Sequence, residues 1–239
     1  MPRSLLPFIA LLLAASCAPY HPPYTVPAGP APIALAGERD ATLVFLWPTT
    51  SCDPAGYFTL ATTDGRFLGT ISPKTQLRVS MPAGRYSVVG WNPTMEDALG
   101  GATIANVPVV HATLAEGRTY YVRLSFGEWD ERGPRQFISG TVMGGHSSNR
   151  CGATASGQNT TSAMVRLTPS SRGLGEVQEW TDGLEVLVPD AAAGQRWLET
   201  QHEVLEAHAS AAERRYERLR DDARALATVA PEDGVDGRP

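Results

Sequence analysis

The chain has 239 residues, 42% of them hydrophobic and 19% charged, a balance that can bury a core and excludes wholesale disorder. Twenty basic residues against 25 acidic ones give a formal charge of -5. No basic surplus exists for general nucleic-acid binding, so that partner class is excluded.

The first element is a short apolar run, Leu5 to Ala15, preceded by Arg3 and interrupted by Pro7. Spanning a bilayer core takes about 20 apolar residues, so this run reads as a cleaved secretory signal over residues 1–16. Leu13-Ala14-Ala15-Ser16-Cys17 resembles the lipobox of bacterial lipoproteins, with Ala14 where Leu is usual. That resemblance implies a lipidated Cys17 as the first mature residue. An ordinary signal cleaved near Ala15 is the alternative. Ala18 is not the Asp that often retains such proteins in the inner membrane, which implies an outer-membrane anchor facing the periplasm. Residues 18–37 contain six prolines and favour extended polyproline geometry, so residues 17–37 read as a lipidated tether.

Strand signals begin at Ala41. Thr42 to Trp47 is a continuous apolar run ended by Pro48, as expected of a buried strand. Tyr57 to Thr62 and Phe67 to Ser72 flank Asp64-Gly65, a strong hairpin signal. Thr75 to Met81 alternates, Pro82-Ala83-Gly84 is a turn, and Arg85 to Trp91 is a further strand. Thr103 to Leu114 supplies one or two more, with Pro108 at an edge or bulge. In Thr119 to Phe126 a period of two puts Tyr120, Val122, Leu124 and Phe126 on one face and Tyr121 on the other. Arg135 to Met143 and Ala163 to Thr168 read as strands, and Glu176 to Val188 as a short helix or a closing strand. Many short strands with closely spaced turns predict a mainly β fold, an antiparallel β-sandwich over residues 38–189.

Thr42 to Pro48, the Asp64-Gly65 hairpin, Pro82-Ala83-Gly84-Arg85-Tyr86 and Gly117-Arg118-Thr119-Tyr120-Tyr121-Val122 occur in this order. Together they resemble an uncharacterised bacterial lipoprotein domain family of small immunoglobulin-like or prealbumin-like sandwiches. The similarity covers roughly residues 40–188. Trp47 stands where a polar residue is usual, and residues 144–162 look inserted. The family has no established activity, so the resemblance implies fold and location alone.

Pro189-Asp190 closes the domain, with Asp190 a candidate N-cap. Gln195 to Ala227 has no Pro or Gly, and Leu198, Leu205, Ala212, Leu219 and Leu226 recur every seven residues. His202, Ala209, Tyr216 and Ala223 complete a 3-4 stripe, so a long amphipathic helix is expected over 190–230. Leu198, Leu205, Tyr216, Leu219 and Leu226 would form its association face, toward a second copy or an envelope protein. Packing on its own domain is the equal alternative. Residues 231–239 read as a disordered tail.

Chemistry is sparse. Cys52 and Cys151 are loop cysteines of an exported chain and are expected to form a disulfide, with two free thiols as the alternative. Met143, His146 and Cys151 match no strong metal pattern, and no cofactor is expected. Ser147 lacks the flanking Gly of a nucleophile elbow, and Asp53, Asp64, Glu96, Asp97, Glu128, Asp130 and Glu131 are unpaired at catalytic spacing. All five His read as surface or packing residues. Trp91, Trp129 and Trp180 are candidates for a glycan- or peptide-binding surface, with rim packing at the sandwich edge as the alternative. The reading that results is a non-enzymatic envelope lipoprotein, tethered at Cys17, with a helical association tail. An exposed aromatic shelf would favour the ligand-binding module instead, and a clustered Ser/His/acid set an unrecognised hydrolase.

Overall fold

The computed structural model describes residues 22–28, 40–48, 56–93, 107–127, 129–130, 133–134, 161–169 and 174–236. Its first half is β1 (Thr25–Pro27), β2 (Asp40–Trp47), β3 (Phe58–Thr62), β4 (Phe67–Ile71), β5 (Thr75–Pro82), β6 (Gly84–Trp91) and β7 (Val109–Leu114). Then come β8 (Arg118–Gly127), the short β9 (Trp129–Asp130) and β10 (Gly133–Pro134), and β11 (Thr161–Leu167). The last part is α1 (Leu174–Thr181), β12 (Glu185–Pro189), α2 (Ala191–Thr200), α3 (His202–Arg218), α4 (Asp221–Leu226), β13 (Thr228–Val229), a 3-10 turn at Pro231–Asp233 and β14 (Val235–Asp236). Cys17, Cys52, Cys151, Met143, His146 and Ser147 lie outside the described residues, as does the expected strand from Arg135 to Met143.

Two large sheets share one core. The first has the order β1-β12-β5-β2-β8-β11, with β14 also paired to β8; the second is β13-β7-β6-β3-β4. The expected all-antiparallel arrangement is corrected to mixed sheets, because β2 runs parallel to β8, β5 to β12 and β7 to β13. Parallel neighbours need long crossovers, and here whole segments of chain intervene between the paired strands. Leu43, Phe45 and Trp47 of β2 meet Leu60, Ile71 and Val110 of the second sheet in the shared core. Val44 and Leu46 alternate with them and are buried too, as a continuous apolar run requires.

The local signals work where the physics is local. Asp64-Gly65 turns β3 into β4, with Gly65 at φ +94° and its N–H donated to the Thr62 carbonyl at 3.0 Å. Gly117, at φ +67°, turns the chain into β8. The ambiguous segment Glu176 to Val188 is both elements in succession, helix α1 and then strand β12. Asp190 caps α2 through Oδ1, which accepts from the Ala193 N–H at 3.1 Å.

Both ends of the chain differ from expectation. The 17–37 tether is shorter than its composition suggests, because β1 within it pairs antiparallel with β12. Tyr24 stacks on Trp197 at 5.3 Å, and the Pro23 carbonyl accepts from Thr70 Oγ1. The predicted single helix is three helices, interrupted at Gln201 and at Leu219, whose backbone is extended at φ -64°, ψ 141°. No Pro or Gly forces these breaks. A straight helix of 33 residues, about 50 Å long, would overshoot a sheet whose strands are five to eight residues long. Bending keeps its apolar stripe on the sheet. Of the segment 231–239, expected to be disordered, residues 231–236 instead form the 3-10 turn and β14. Asp233 is buried there, pairing with Arg166 and accepting from Thr168 Oγ1 at 3.1 Å.

The candidate association face is thereby accounted for. Leu198 and Leu205 pack with Ala61, Phe67, Val89, Trp91 and Val109 on the outer face of the second sheet. Tyr216 packs against both that cluster and the small one of Leu219, Ala223 and Ala227, while Leu226 is half-buried. Arg215, its side chain pushed down to about 10 by burial and by Arg218, donates to the Val107 carbonyl at 3.1 Å. The stripe closes on its own domain.

Candidate functional site

An open cleft of about 390 Å³ lies at β6 and β7. Thr63, Asp64, Arg85, Ser87, His111 and Thr228 contribute to its lining. Ser87 and His111 are direct cross-strand partners. The His111 N–H turns away from β6 and donates to the Ala227 carbonyl at 3.0 Å, while the Ser87 carbonyl accepts from Thr63 N–H at 2.8 Å. Ser87 and His111 are therefore a non-hydrogen-bonded pair, the kind in which side chains approach most closely. Ser87 Oγ lies 3.0 Å from His111 Nδ1.

The third member comes from the tail. Glu213 Oε2 on α3 lies 3.5 Å from His111 Nε2. Nε2 is buried and its contact with the carboxylate falls outside hydrogen-bond geometry. Glu213 is 42% exposed, so its side chain has room to close the gap. With Nε2 carrying the proton toward the carboxylate, Ser87 donates to Nδ1. The Tyr216 ring lies against the imidazole with centroids 4.0 Å apart. Thr228 Oγ1 donates to the Arg224 carbonyl at 2.7 Å, which leaves the Tyr216 hydroxyl as donor in its 2.8 Å contact with Thr228.

Burial lowers the His111 pKa below its ordinary value and outweighs the opposing attraction of Glu213. The imidazole is thus neutral at pH 7. The unfolded chain takes up this proton below about pH 6.5, and the folded chain only at lower pH. The associated stability is complete above 6.5 and is lost as pH falls toward the folded value. We expect the melting temperature to drop between pH 7.5 and 5.5, and to drop less in His111→Gln. Equal drops in the two proteins would show that His111 contributes nothing to this dependence. Asp64 and Arg85 also line the cleft, so their fields are common to both proteins.

The sequence candidates fall elsewhere. Trp91 is only 3% exposed, stacked on Trp197 at 6.3 Å and on His208 at 5.3 Å, so it offers no face to a glycan or peptide. The Trp129 backbone forms β9, and its side chain lies outside the described set. Trp180 packs edge-on against Tyr121 across 5.9 Å. His202 is a surface residue paired with Glu206 and His208 a core residue, as expected, whereas His111 does more than pack. Ser87, His111 and Glu213 carry no shared motif, being 24 and 102 positions apart. Only strand register and the folded-back helix bring them together. Comparison with protein-family models, curated proteins and solved structures finds no match to this chain.

Proposed function

We propose that the protein is a cell-envelope lipoprotein, anchored through Cys17 and held as a β-sandwich close against the membrane, on the periplasmic side of the outer membrane. The lipobox-like stretch at Leu13–Cys17 supports the anchor. The observation that carries the geometry is β1. Thr25 is already fixed on the sheet edge, only eight residues after Cys17, so the intervening chain reaches at most about 28 Å. The anchored edge is then β1 with β12. Val26 on that edge is the exposed large apolar side chain among the described residues, at 48%, a sensible neighbour for a lipid surface. Leu198 and Leu205 of the tail pack on the second sheet, which supports packing on its own domain as the reading of the tail.

Cys17→Ala tests the anchor. Labelled fatty acid should no longer enter the protein, and it should move from the membrane to the soluble or precursor fraction while the domain keeps its melting temperature. Unchanged membrane partition of a wild-type protein that incorporates no fatty acid would overturn the reading.

A further inference from the structure

We propose that Ser87, His111 and Glu213 form a nucleophile–base–acid set that hydrolyses short-chain carboxylic esters in the cleft at β6 and β7. This goes beyond the envelope reading and does not depend on membrane anchoring.

The geometry has three parts. Ser87 Oγ is 3.0 Å from His111 Nδ1, within reach for transfer of the hydroxyl proton. Glu213 lies 3.5 Å beyond the opposite ring nitrogen, where a carboxylate orients the imidazole and stabilises its charged form. Ser87 and His111 line an open cleft large enough for a small molecule, and Glu213 stands behind the imidazole, outside that lining.

In the acylation step Ser87 Oγ attacks the ester carbonyl carbon while its proton passes to His111 Nδ1. The tetrahedral adduct collapses, the carbon–oxygen bond to the alcohol breaks, and the alcohol departs with the Nδ1 proton. Water then attacks the acyl-serine, gives a proton to Nδ1, and releases the acid as Ser87 recovers its hydrogen. Only ester and water are consumed. Arg85 is two residues before Ser87 on the same strand face, about 7 Å along it, and also lines the cleft. Its guanidinium is the cation placed to meet negative charge on the carbonyl oxygen, a task that backbone N–H groups perform in other serine hydrolases. The polar lining of Thr63, Asp64 and Thr228 suits a hydroxylated alcohol portion, and the modest volume suits a short acyl chain.

The full-length chain should be treated with a fluorophosphonate and separately with p-nitrophenyl acetate. Peptide mapping should place the phosphonate on Ser87, and Ser87→Ala should lose the label and at least 100-fold in ester turnover, at unchanged melting temperature. Glu213→Gln should keep Ser87 labelling but lower kcat more than it raises KM. If Ser87→Ala is unstable, Ser87→Cys supplies the readout. Its thiol should be alkylated by iodoacetamide faster at pH 7 than the same thiol in the Ser87→Cys, His111→Gln double variant. An unlabelled Ser87, together with ester turnover equal in wild type and Ser87→Ala, would overturn the proposal. Equal alkylation rates in the two cysteine variants would overturn it as well, and would leave the pair as a structural cross-strand hydrogen bond.

Discussion

Deleting residues 190–239 should unfold the domain. The tail covers the outer face of the second sheet, where Phe67, Val89, Trp91 and Val109 are nearly inaccessible beneath Leu198, Leu205, Ala211 and Ala212. Each large apolar side chain released to water costs about 1.5–3 kcal/mol, and residues on both sides of the contact are released. The sum is on the order of 10 kcal/mol, comparable with the whole stability of an ordinary domain. The deletion also removes Pro231, whose carbonyl accepts from Tyr120, and β14, which pairs with β8. We expect loss of the cooperative thermal transition by circular dichroism and rapid proteolysis of residues 40–189. A truncated chain that melts cooperatively within a few degrees of wild type would show that the tail is an appendage. A single substitution probes the same contact. A Cβ placed on Gly194 would lie 2.0–2.5 Å from ring atoms of Phe67. Alanine gains about 1 kcal/mol over glycine by helix propensity alone, so a fall in stability for Gly194→Ala isolates the packing conflict. Phe67→Leu in the same chain should recover part of it.

Strand identity was legible because it is written locally. The alternation of Thr119 to Phe126, the apolar run at Thr42 to Trp47 and the Asp64-Gly65 turn each report a constraint satisfied within a few residues. Strand direction and sheet order were not legible, since nothing in β2 or β8 alone says that they run parallel. The ends of the chain misled for a related reason. Pro-rich and Pro-Glu-Asp-Gly segments lack a propensity for regular structure, yet three residues of β1 and two of β14 suffice to complete a ladder already built by others. Of the helical stripe, Leu198, Leu205, Ala212, Leu219 and Ala223 are buried, whereas Leu226 is half-buried and His202 exposed. The stripe's destination was open, because amphipathicity demands a cover without naming one. The cleft was the least legible feature. A Ser on one strand and a His on the next acquire meaning only through register, and Glu213 reaches them only because the tail bends back.

Tyr120→Ala should cost about 3–5 kcal/mol, among the largest single-residue losses available in this core. The side chain is fully buried between the sheets, with Leu43, Val122 and Leu124 in the same cluster. Its hydroxyl accepts from the Ala115 N–H at 2.8 Å and donates to the Pro231 carbonyl at 3.2 Å. One phenol therefore joins the turn before β8 to the last segment of the chain. The approach is close, because a Cβ on Gly234 would lie 2.7 Å from the ring. Tyr120→Phe keeps the ring and removes both hydrogen bonds, which should cost about 1–3 kcal/mol. Tyr121, the next residue, faces the opposite way and is half-buried against Trp180 of α1. Burial raises its pKa, with Arg78 pulling the other way, so that face is covered rather than bare. Tyr121→Ala should still cost less, about 1–2 kcal/mol, because part of its surface already meets water. Chemical denaturation of the three variants separates these terms. Equal losses at positions 120 and 121 would mean that α1 buries its face as completely as the second sheet does. A loss for Tyr120→Phe near zero would mean that water replaces both hydrogen bonds, and that the C-terminal segment is held by Asp233 and β14 without help from the phenol.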